Sequence, residues 1–291
     1  MSWPSFFNIL FTPRRNLRKV FKNGKGVCLI HGDTLTTLIS LLYAKRCGIS
    51  VAHVEAGLRS FNLLDPFPEE IIRRIAMRLS DLLFAPSDTA FQNLIKMGYG
   101  KKAVPVGANT GLDSVRYAAS RMKKEKLPFQ PYAVMTIHRV ETVFSSLRLK
   151  TVVEIIRRAA RDRAIVFVLH EPTRNQLRRL GLLREVLETQ NVTLLPMLSY
   201  LEFVGLMAGA DYVITDGGSV QEECYYLNKP CMVLRSRTER KEGIGENAFL
   251  AGFDKIRIEK FLRTFPTLSR RNWEDSVRPS AFIVNHILRH F

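Results

Sequence analysis

Acidic side chains follow short apolar segments at several points in the first third of the chain. Asp33 follows the apolar segment Val27–His31. Glu55 lies just past Val51–Val54, and Glu69 stands at the start of a helix-forming stretch. Carboxyl groups can deliver or accept protons, and two of them serve as acid and base when their surroundings separate their pKa values. The pattern therefore predicts a site for acid–base catalysis.

Each of these residues also has an ordinary structural explanation. Asp33 can cap the helix predicted over Leu35–Lys45, because Asp at a strand-to-helix turn is a common N-cap. Pro68 followed by Glu69 and Glu70 is an ordinary start of a helix. The chemical interpretation is favoured because three separate junctions place a carboxylate at the same end of one predicted sheet.

A turn with two glycines in the second half of the chain suits an anion. Gly217, Gly218 and Ser219 follow an apolar segment that ends at Thr215. A helix is predicted over Val220–Leu227. Glycines let backbone N–H groups approach a phosphate closely, and the helix N-terminus adds partial positive charge. The same turn could also simply bend the chain and cap the helix.

Cationic side chains follow two other apolar segments of the second half. His138 and Arg139 come directly after Tyr132–Thr136. Arg240 lies in the charged segment after Cys231–Leu234. Positive charge at the ends of strands suits a leaving diphosphate. A surface histidine and salt-bridged arginines would explain the same residues equally well.

Short apolar segments alternate with longer helical patterns along the chain. Strands that are apolar throughout are buried on both faces, and helices between them imply parallel sheets. The fold class is therefore α/β, with two doubly wound, Rossmann-like domains facing each other across a cleft and ligands beyond the carboxyl ends of the strands. The predicted strands are Val27–His31, Val51–Val54, Leu82–Ala85, Tyr132–Thr136, Ile165–Leu169, Tyr212–Thr215 and Cys231–Leu234.

Length and local composition indicate where the domains divide. The 291 residues exceed a usual domain of roughly 100–150 residues, which favours two domains. A charged segment with two prolines between Ser114 and Pro131 is typical of a helix that runs into a linker. We predict a first domain over 1–115, a linker over 116–131, a second domain over 132–265 and a C-terminal helical tail over 266–291.

The charge balance predicts anionic partners. The chain carries 44 Lys and Arg against 27 Asp and Glu, a net charge of +17, and is 46% apolar, which excludes a disordered chain. Nucleic acid, acidic lipid and a sugar nucleotide all fit this charge. We interpret the excess mainly as a solvated basic face, expect no specific nucleic acid, and leave open a peripheral contact with an anionic surface.

Cysteines and hydropathy favour a cytoplasmic protein with reduced thiols. The longest apolar region, Leu194–Thr215, is too interrupted for a transmembrane segment, and Trp3–Phe11 makes a poor signal peptide. The cysteines show neither a CxxC motif nor close Cys/His pairing, so neither a metal site nor a disulfide framework is predicted. They are Cys28, Cys47, Cys224 and Cys231.

Six motifs, in their order and spacing, resemble the bacterial non-hydrolysing UDP-N-acetylglucosamine 2-epimerases of the glycosyltransferase-B-like superfamily. The resemblance extends from about residue 27 to residue 250. The motifs are His31-Gly-Asp-Thr34, His53-Val-Glu-Ala-Gly-Leu-Arg-Ser60, Pro66-Phe-Pro-Glu-Glu70, Thr136-Ile-His-Arg-Val-Glu141, Thr215-Asp-Gly-Gly-Ser-Val-Gln-Glu-Glu223 and Thr238-Glu-Arg240.

The resemblance implies an activity and a set of site residues. It implies conversion of UDP-GlcNAc to UDP-ManNAc by elimination and re-addition of UDP, in the supply of a polysaccharide precursor for the cell envelope. It further implies a homodimer and no metal or nicotinamide cofactor. The catalytic residues implied are Asp33, Glu55, Glu69 and His138. The substrate-binding residues implied are Arg59, Arg73, Arg139, Gly217, Gly218, Ser219, Glu223 and Arg240, with the glycine turn on the diphosphate and Glu223 on the ribose.

The sequence departs from the family pattern in several places. The family usually begins with a strand and a phosphate-binding Gly-Thr-Arg-Pro-Glu turn, whereas only 30 residues precede His31 here. We therefore expect an incomplete first domain with an exposed sheet edge. Either the chain is a truncated form, or the basic start of the chain or a partner supplies that contact. The Asp-Ser-Gly-Gly loop of the family reads Asp-Gly-Gly-Ser here, and two positions that are asparagine in the family are Ile72 and Thr142. The basic residues that could replace the phosphate contact are Arg14, Arg15 and Arg18.

Three other functions stay open. A hydrolysing epimerase would release free ManNAc, and a glycosyltransferase on the same fold would use a UDP-sugar as donor. The retained carboxylates favour chemistry at C2, since a transferase needs no base there. A non-catalytic remnant that binds anions would explain the positive charge and the short start.

Overall fold

The computed structural model describes residues 12–21, 26–62, 67–121, 131–270 and 276–291. They form two compact α/β units, and both contain a parallel sheet, as predicted. One unit contains the residues up to Thr110 together with Ser276–Phe291, and the other is Gly111–Asp275.

The first unit is built on a four-stranded parallel sheet in the order β1-β2-β3-β4. Helices link successive strands, because parallel neighbours need crossover connections. The strands are β1 (Val27–His31), β2 (Ser50–Val54), β3 (Leu82–Ala85) and β4 (Ala103–Pro105). The helices are α1 (Arg14–Arg18), α2 (Leu35–Arg46), α3 (Glu69–Leu79), α4 (Asp88–Lys96) and α13 (Pro279–His290).

Both faces of the two central strands β2 and β3 are covered, which explains why these strands are mainly apolar. On one face Val51 packs in a cluster with residues of α2, and Leu83 packs in a cluster with residues of α4. On the other face Ala52 and Phe84 pack against Ile283 of α13. The C-terminal helix therefore completes the core of the first unit.

The second unit is built on a six-stranded parallel sheet in the order β10-β9-β8-β5-β6-β7. Its strands are β5 (Tyr132–Thr136), β6 (Ala164–Val168), β7 (Val192–Leu195), β8 (Tyr212–Thr215), β9 (Cys231–Val233) and β10 (Ala248–Leu250). Its helices are α5 (Gly111–Arg121), α6 (Val140–Val143), α7 (Ser146–Ala159), α8 (Glu171–Arg179), α9 (Leu182–Leu187), α10 (Tyr200–Gly209), α11 (Gly218–Tyr226) and α12 (Lys255–Thr264).

The central strands of this sheet determine where its polar loops meet. β5 and β8 are neighbours, and Thr136 pairs with Thr215 at their carboxyl ends. The segments that follow these two residues therefore start side by side. The segment that contains His138 and Arg139 and the segment that contains the glycine turn are brought together in this way.

The division into units differs from the predicted boundaries in two places. α5 packs on α10 and α11, so the chain enters the second unit at Gly111, ahead of the predicted linker over 116–131. Of that linker, residues 122–130 lie outside the described part of the chain. The predicted tail over 266–291 is also divided, because its helix α13 packs on the first sheet. The local sequence shows where helices end but not which sheet they cover.

Three short strands escape the sequence pattern. β4 and β10 have three residues each, and β7 is only partly buried, so none of them forms a long apolar segment.

The predicted cap of α2 is also corrected. Thr34, not Asp33, is its N-cap and accepts a hydrogen bond from the Thr37 N–H at 3.3 Å. Asp33 is thereby available for another partner.

Neither a membrane-spanning helix nor a cluster of metal ligands occurs in the described part of the chain. None of the helices in the described ranges is long and apolar enough to cross a bilayer. The same residues contain no group of three or more His, Cys, Asp and Glu side chains that could hold a metal ion.

Candidate active site

Glu55 lies directly after β2 and is held by a closed ring of side chains. Its Oε1 accepts a hydrogen bond from Asn109 Nδ2 at 2.5 Å. Asn109 Oδ1 accepts one from the Thr110 hydroxyl at 3.3 Å, and that hydroxyl lies 3.4 Å from His31 Nε2. The other ring nitrogen of His31 lies 3.9 Å from Glu55 Oε2. One oxygen of the carboxylate is therefore held by a hydrogen bond, and the other faces the ring of His31.

The backbone around Glu55 is unusual. Glu55 has a φ of 71°, in the left-handed region that residues with a side chain seldom adopt. Gly32 has a φ of 65°, and a Cβ on it would lie 3.2 Å from Glu55 Oε2. Residues in sparsely populated conformations cluster at functional sites, where surrounding contacts maintain them. The turn therefore directs Glu55 at a cost in backbone energy, which supports a functional role.

Asp33 belongs to a second network in which arginines bridge carboxylates. Arg73 Nη2 contacts Asp33 Oδ2 at 2.5 Å, and its Nη1 lies 3.4 Å from Glu70 Oε2. Glu70 is fully buried and also forms an ion pair with Arg59. Its second oxygen accepts the backbone N–H of Ser60 at 3.1 Å. Arg59 and Arg73, two of the four arginines predicted to bind substrate, are thus tied to Glu70.

Glu69 differs from its neighbour Glu70. It is the first residue of α3 and is partly exposed. Its Oε2 is buried without a hydrogen-bond partner among the described residues. Pro66, which opens the motif before it, lies outside the described residues. An oxygen in this state can accept a hydrogen bond from a ligand.

His53 supports the turn that contains Gly32 through a hydrogen bond. It is buried, and its Nε2 lies 2.8 Å from the Gly32 carbonyl. Burial lowers the pKa of His53 to about 4, a shift that the hydrogen bond to Gly32 and the charge of Glu55 oppose. The ring is therefore neutral at pH 7 and donates its Nε2 proton to Gly32.

In the second unit a buried carboxylate organises the predicted cationic loop. Asp216, which follows β8, is fully buried and accepts the backbone N–H groups of His138 and Arg139, both at 3.0 Å. His138 Nδ1 lies 3.6 Å from the same carboxylate. Burial lowers the pKa of His138, and the charge of Asp216 opposes that shift. The Arg139 side chain forms an ion pair with Glu141, with its Nη2 atom 3.1 Å from Glu141 Oε1.

The glycine turn lies against His138. Gly217 is the N-cap of α11, and its N–H donates to Thr215 Oγ1 at 2.9 Å. A Cβ on Gly217 would lie 2.5 Å from Cε1 of His138, so this position accommodates only glycine beside the ring. Gly218 begins α11, and the exposed Ser219 follows it. The histidine and the helix N-terminus therefore form one surface suited to an anion.

The remaining predicted residues lie on α11 and the loop after β9. Arg240 forms an ion pair with Glu222, whose other oxygen accepts the Tyr226 hydroxyl at 2.6 Å. The stem of Arg240 passes 3.4 Å from the position of a Cβ on Gly218. Burial raises the pKa of Glu223 to about 7, although a hydrogen bond with Tyr200 and the charge of Arg240 oppose the shift.

The basic residues at the start of the chain are only partly described. Arg14 and Arg15 are exposed on α1, and the side chain of Arg18 lies outside the described part. None of the contacts given for the described residues joins Arg14 or Arg15 to the site. Their role in phosphate binding stays a prediction.

Three residues that organise the site were missed by sequence reasoning. They are Glu70, Asp216 and Asn109. Glu70 and Arg73 stand three residues apart on one helix, a spacing that predicts an ion pair. Asp216 was visible as the acid at the start of the glycine turn. No local sequence pattern indicates Asn109 as a site residue, because only the fold brings it close to Glu55.

Comparison with known proteins shows which family has this arrangement. A family model described as UDP-N-acetylglucosamine 2-epimerase matches residues 16–280. The UDP-N-acetylglucosamine 2-epimerase of Methanocaldococcus jannaschii is 34% identical over 268 residues, which are 88% of this chain and 72% of that protein. This chain belongs to the UDP-N-acetylglucosamine 2-epimerase family. The resemblance found from the motifs and the predicted isomerase class are confirmed.

Two further similarities bear on fold and substrate. A crystal structure of the M. jannaschii UDP-GlcNAc 2-epimerase in complex with UDP-GlcNAc and UDP matches with a TM-score of 0.83 and 32% identity, over 95% of this chain and 79% of that chain. The predicted glycosyltransferase-B-like fold is thereby confirmed. The UDP-2,3-diacetamido-2,3-dideoxy-D-glucuronate 2-epimerase of Pseudomonas aeruginosa is 36% identical over 217 residues, 72% of this chain and 59% of that protein.

Proposed function

We propose that this epimerase inverts C2 of UDP-GlcNAc to give UDP-ManNAc. The single observation that carries the proposal is the fixed pair of carboxylates at the ends of β1 and β2, with Asp33 on Arg73 and Glu55 on Asn109. A UDP-sugar binder without C2 chemistry would not need two oriented carboxylates there. Membership of the family supports the same substrate.

The reaction proceeds in two half-steps. A carboxylate takes the C2 proton while the bond between C1 and the UDP oxygen breaks, so a C1=C2 double bond forms in 2-acetamidoglucal and the electron pair leaves with UDP. UDP then attacks C1 again, and C2 takes a proton on the opposite face. The C2 hydrogen has no adjacent carbonyl to acidify it, so its removal depends on stabilising the leaving diphosphate.

The two units take different parts in this scheme. Asp33, Glu55 and Glu69 supply the acid and base that act on the sugar ring. In the second unit, His138 and the N-terminus of α11 stabilise the diphosphate, and Glu223 accepts hydrogen bonds from the ribose. Arg139 and Arg240 add positive charge. The scheme accounts for every catalytic residue that the resemblance implies.

Incubation with UDP-GlcNAc in deuterated water tests the proposal. We expect UDP-ManNAc with deuterium at C2 and the sugar still attached to UDP, observed by NMR and mass spectrometry. Asp33→Asn should abolish deuterium incorporation while UDP binding is retained. Asp88→Asn is the matched control, because Asp88 is an exposed residue in the first turn of α4.

Other products would overturn the proposal in distinct ways. Free ManNAc and UDP would identify a hydrolysing epimerase. Consumption of the UDP-sugar only with an added acceptor would identify a glycosyltransferase. Salt-sensitive DNA binding without any turnover would identify a non-catalytic anion-binding protein.

A second substrate follows from one similarity. The relative from P. aeruginosa is named for a diacetamido uronate, and its identity to this chain is 36%. The same C2 inversion on UDP-2,3-diacetamido-2,3-dideoxy-D-glucuronate is therefore a second candidate. Parallel assays with both UDP-sugars distinguish them, because the preferred substrate has the higher kcat/KM.

We further propose that the enzyme is a cytoplasmic homodimer. The dimer follows from the family resemblance, and the free thiols of the four cysteines support a reducing compartment. Light scattering should give twice the protomer mass of 33.3 kDa. Cell fractionation with a marker for each compartment checks the location.

A further inference from the structure

The carboxylate of Glu55 contacts the side-chain amide of Asn109. Asn109 is buried, at 6% exposure, although it is polar and lies outside any helix or strand. Its amide nitrogen reaches Glu55 Oε1 at 2.5 Å. Buried amides usually bond to backbone or water, so a bond to an acidic side chain calls for an explanation.

The orientation of the Asn109 amide is itself determined. Its oxygen accepts the Thr110 hydroxyl, and that hydroxyl lies within 3.4 Å of His31 Nε2. Because the oxygen is engaged there, the NH₂ group faces Glu55. The ring Glu55, Asn109, Thr110 and His31 closes through the 3.9 Å contact between His31 and Glu55 Oε2.

We propose that Asn109 is a positioning residue for Glu55 in the epimerisation, an inference that rests on the proposed function. The amide donates only to a carboxylate oxygen that can accept, so it favours the ionised form that removes a proton. It also holds the carboxylate of a residue whose backbone lies in the left-handed region. Without the amide the side chain can rotate away from its working orientation.

The position of Asn109 in the chain gives the ring a second consequence. Asn109 and Thr110 are the last residues of the first unit before α5 begins at Gly111. The hydrogen-bonded ring around Glu55 therefore includes the residues that immediately precede the second unit in the chain.

Two substitutions at Asn109 test the proposal. Asn109→Ala removes the donor, and Asn109→Asp keeps the shape but places a second carboxylate against Glu55. We expect kcat to fall about 10- to 100-fold in Asn109→Ala, as for other residues that orient a catalytic group, with KM changed less than about threefold. The acidic limb of the pH profile of kcat should move to higher pH, further in Asn109→Asp than in Asn109→Ala.

Asn93→Ala provides the matched control. Asn93 is a partly buried asparagine of the same unit whose side-chain amide donates to the Gly57 carbonyl at 2.9 Å, not to a carboxylate. It should keep the wild-type acidic limb. An unshifted limb in Asn109→Asp, or an equal fall of kcat in Asn93→Ala, would overturn the positioning role.

A measurement without turnover separates this inference from the proposed function. Absence of deuterium at C2 in the wild-type assay would refute the proposed function alone. The carboxyl carbon signal of Glu55, followed by NMR with ¹³C-labelled glutamate across pH, still reports the hydrogen bond. Its titration midpoint should move upward in Asn109→Ala, and an unchanged midpoint would refute the inference.

Discussion

The two units hold their functional groups in different ways. In the first unit, side chains hold side chains, with Arg73 on Asp33 and Asn109 on Glu55. In the second unit, the buried Asp216 accepts two backbone N–H groups, and Gly217 gives His138 its space. In the proposed function, the first arrangement positions charges that change protonation state, and the second positions a surface that binds an anion without changing its own protonation.

This difference predicts how substitutions in each unit affect catalysis and nucleotide binding. Loss of a side-chain contact in the first unit should reduce catalysis and leave nucleotide binding intact. An added atom in the second unit should disturb nucleotide binding and catalysis together, because the backbone itself forms the site. The following experiments test that contrast.

Glu55→Gln should have the largest effect. The amide cannot take up a proton at neutral pH, so we expect kcat to fall about 10²- to 10⁴-fold, the usual contribution of a general acid or base. UDP affinity, measured by calorimetry, should stay within about twofold of wild type, because the proposed function places the nucleotide contacts in the second unit. A parallel loss of UDP affinity would contradict the contrast between the units.

Acid should destabilise the first unit through His53. Its pKa is about 4 in the folded chain and about 6.5 when unfolded. The unfolded chain therefore binds the proton first, and stability that is present above pH 6.5 is lost as the pH falls. The loss between pH 6.5 and pH 4 is about 3 kcal/mol.

Denaturant unfolding at several pH values measures this loss. His53→Gln keeps a donor for the Gly32 carbonyl but does not titrate, so its free energy of unfolding should fall less steeply over the same range. Carboxylates titrate in both proteins, so the difference between the two curves isolates His53. Coincident curves would show that His53 does not carry the effect.

Gly217→Ala should affect binding and catalysis together. The new methyl group would lie 2.5 Å from His138 Cε1, so the ring or the turn must move. We expect a loss of about 10- to 100-fold in kcat/KM, as expected for a small displacement of a positioned group, together with weaker UDP binding. Gly100→Ala is the control, because a Cβ there would meet only Ile95 at 3.8 Å.

UDP binding should depend on pH through Glu223. The pKa of Glu223 is about 7, and in the proposed function its ionised carboxylate accepts stronger hydrogen bonds from the ribose hydroxyls than the neutral acid does. Affinity should therefore rise as the pH increases from 6 to 8, by up to about tenfold. Glu223→Gln should remove the dependence, and a pH dependence retained in that variant would assign it to another group.

Lys102→Met should have the smallest effect and leave activity unchanged. The Lys102 ammonium donates to the carbonyls of Met77, Arg78 and Ser80 at the end of α3. Loss of a cation at a helix C-terminus costs about 1 kcal/mol. Thermal unfolding should show a lower Tm, while kcat stays at the wild-type value. A fall in kcat would mean that the far end of α3 influences Glu69.

The fold class could be predicted from the sequence, because it depends on local patterns of apolar residues. Strands buried on both faces leave continuous apolar segments, and four of the seven predicted strands have the predicted bounds. Arg59 and Arg73 show the limit of such reasoning. The spacing of Glu70 and Arg73 on one helix predicts their ion pair, whereas the contacts of Arg59 with Glu70 and of Arg73 with Asp33 depend on packing.

The amino-acid sequence by itself determined the α/β class, the family and the types of residues at the site, since hydrophobic periodicity and motif spacing are properties of the chain. Tertiary structure alone decided that α13 covers the first sheet, that Asp216 organises His138, and that Asn109 reaches Glu55 across 54 residues of sequence. These contacts join residues far apart in the chain. Their formation depends on the order of strands in each sheet, which local patterns do not encode.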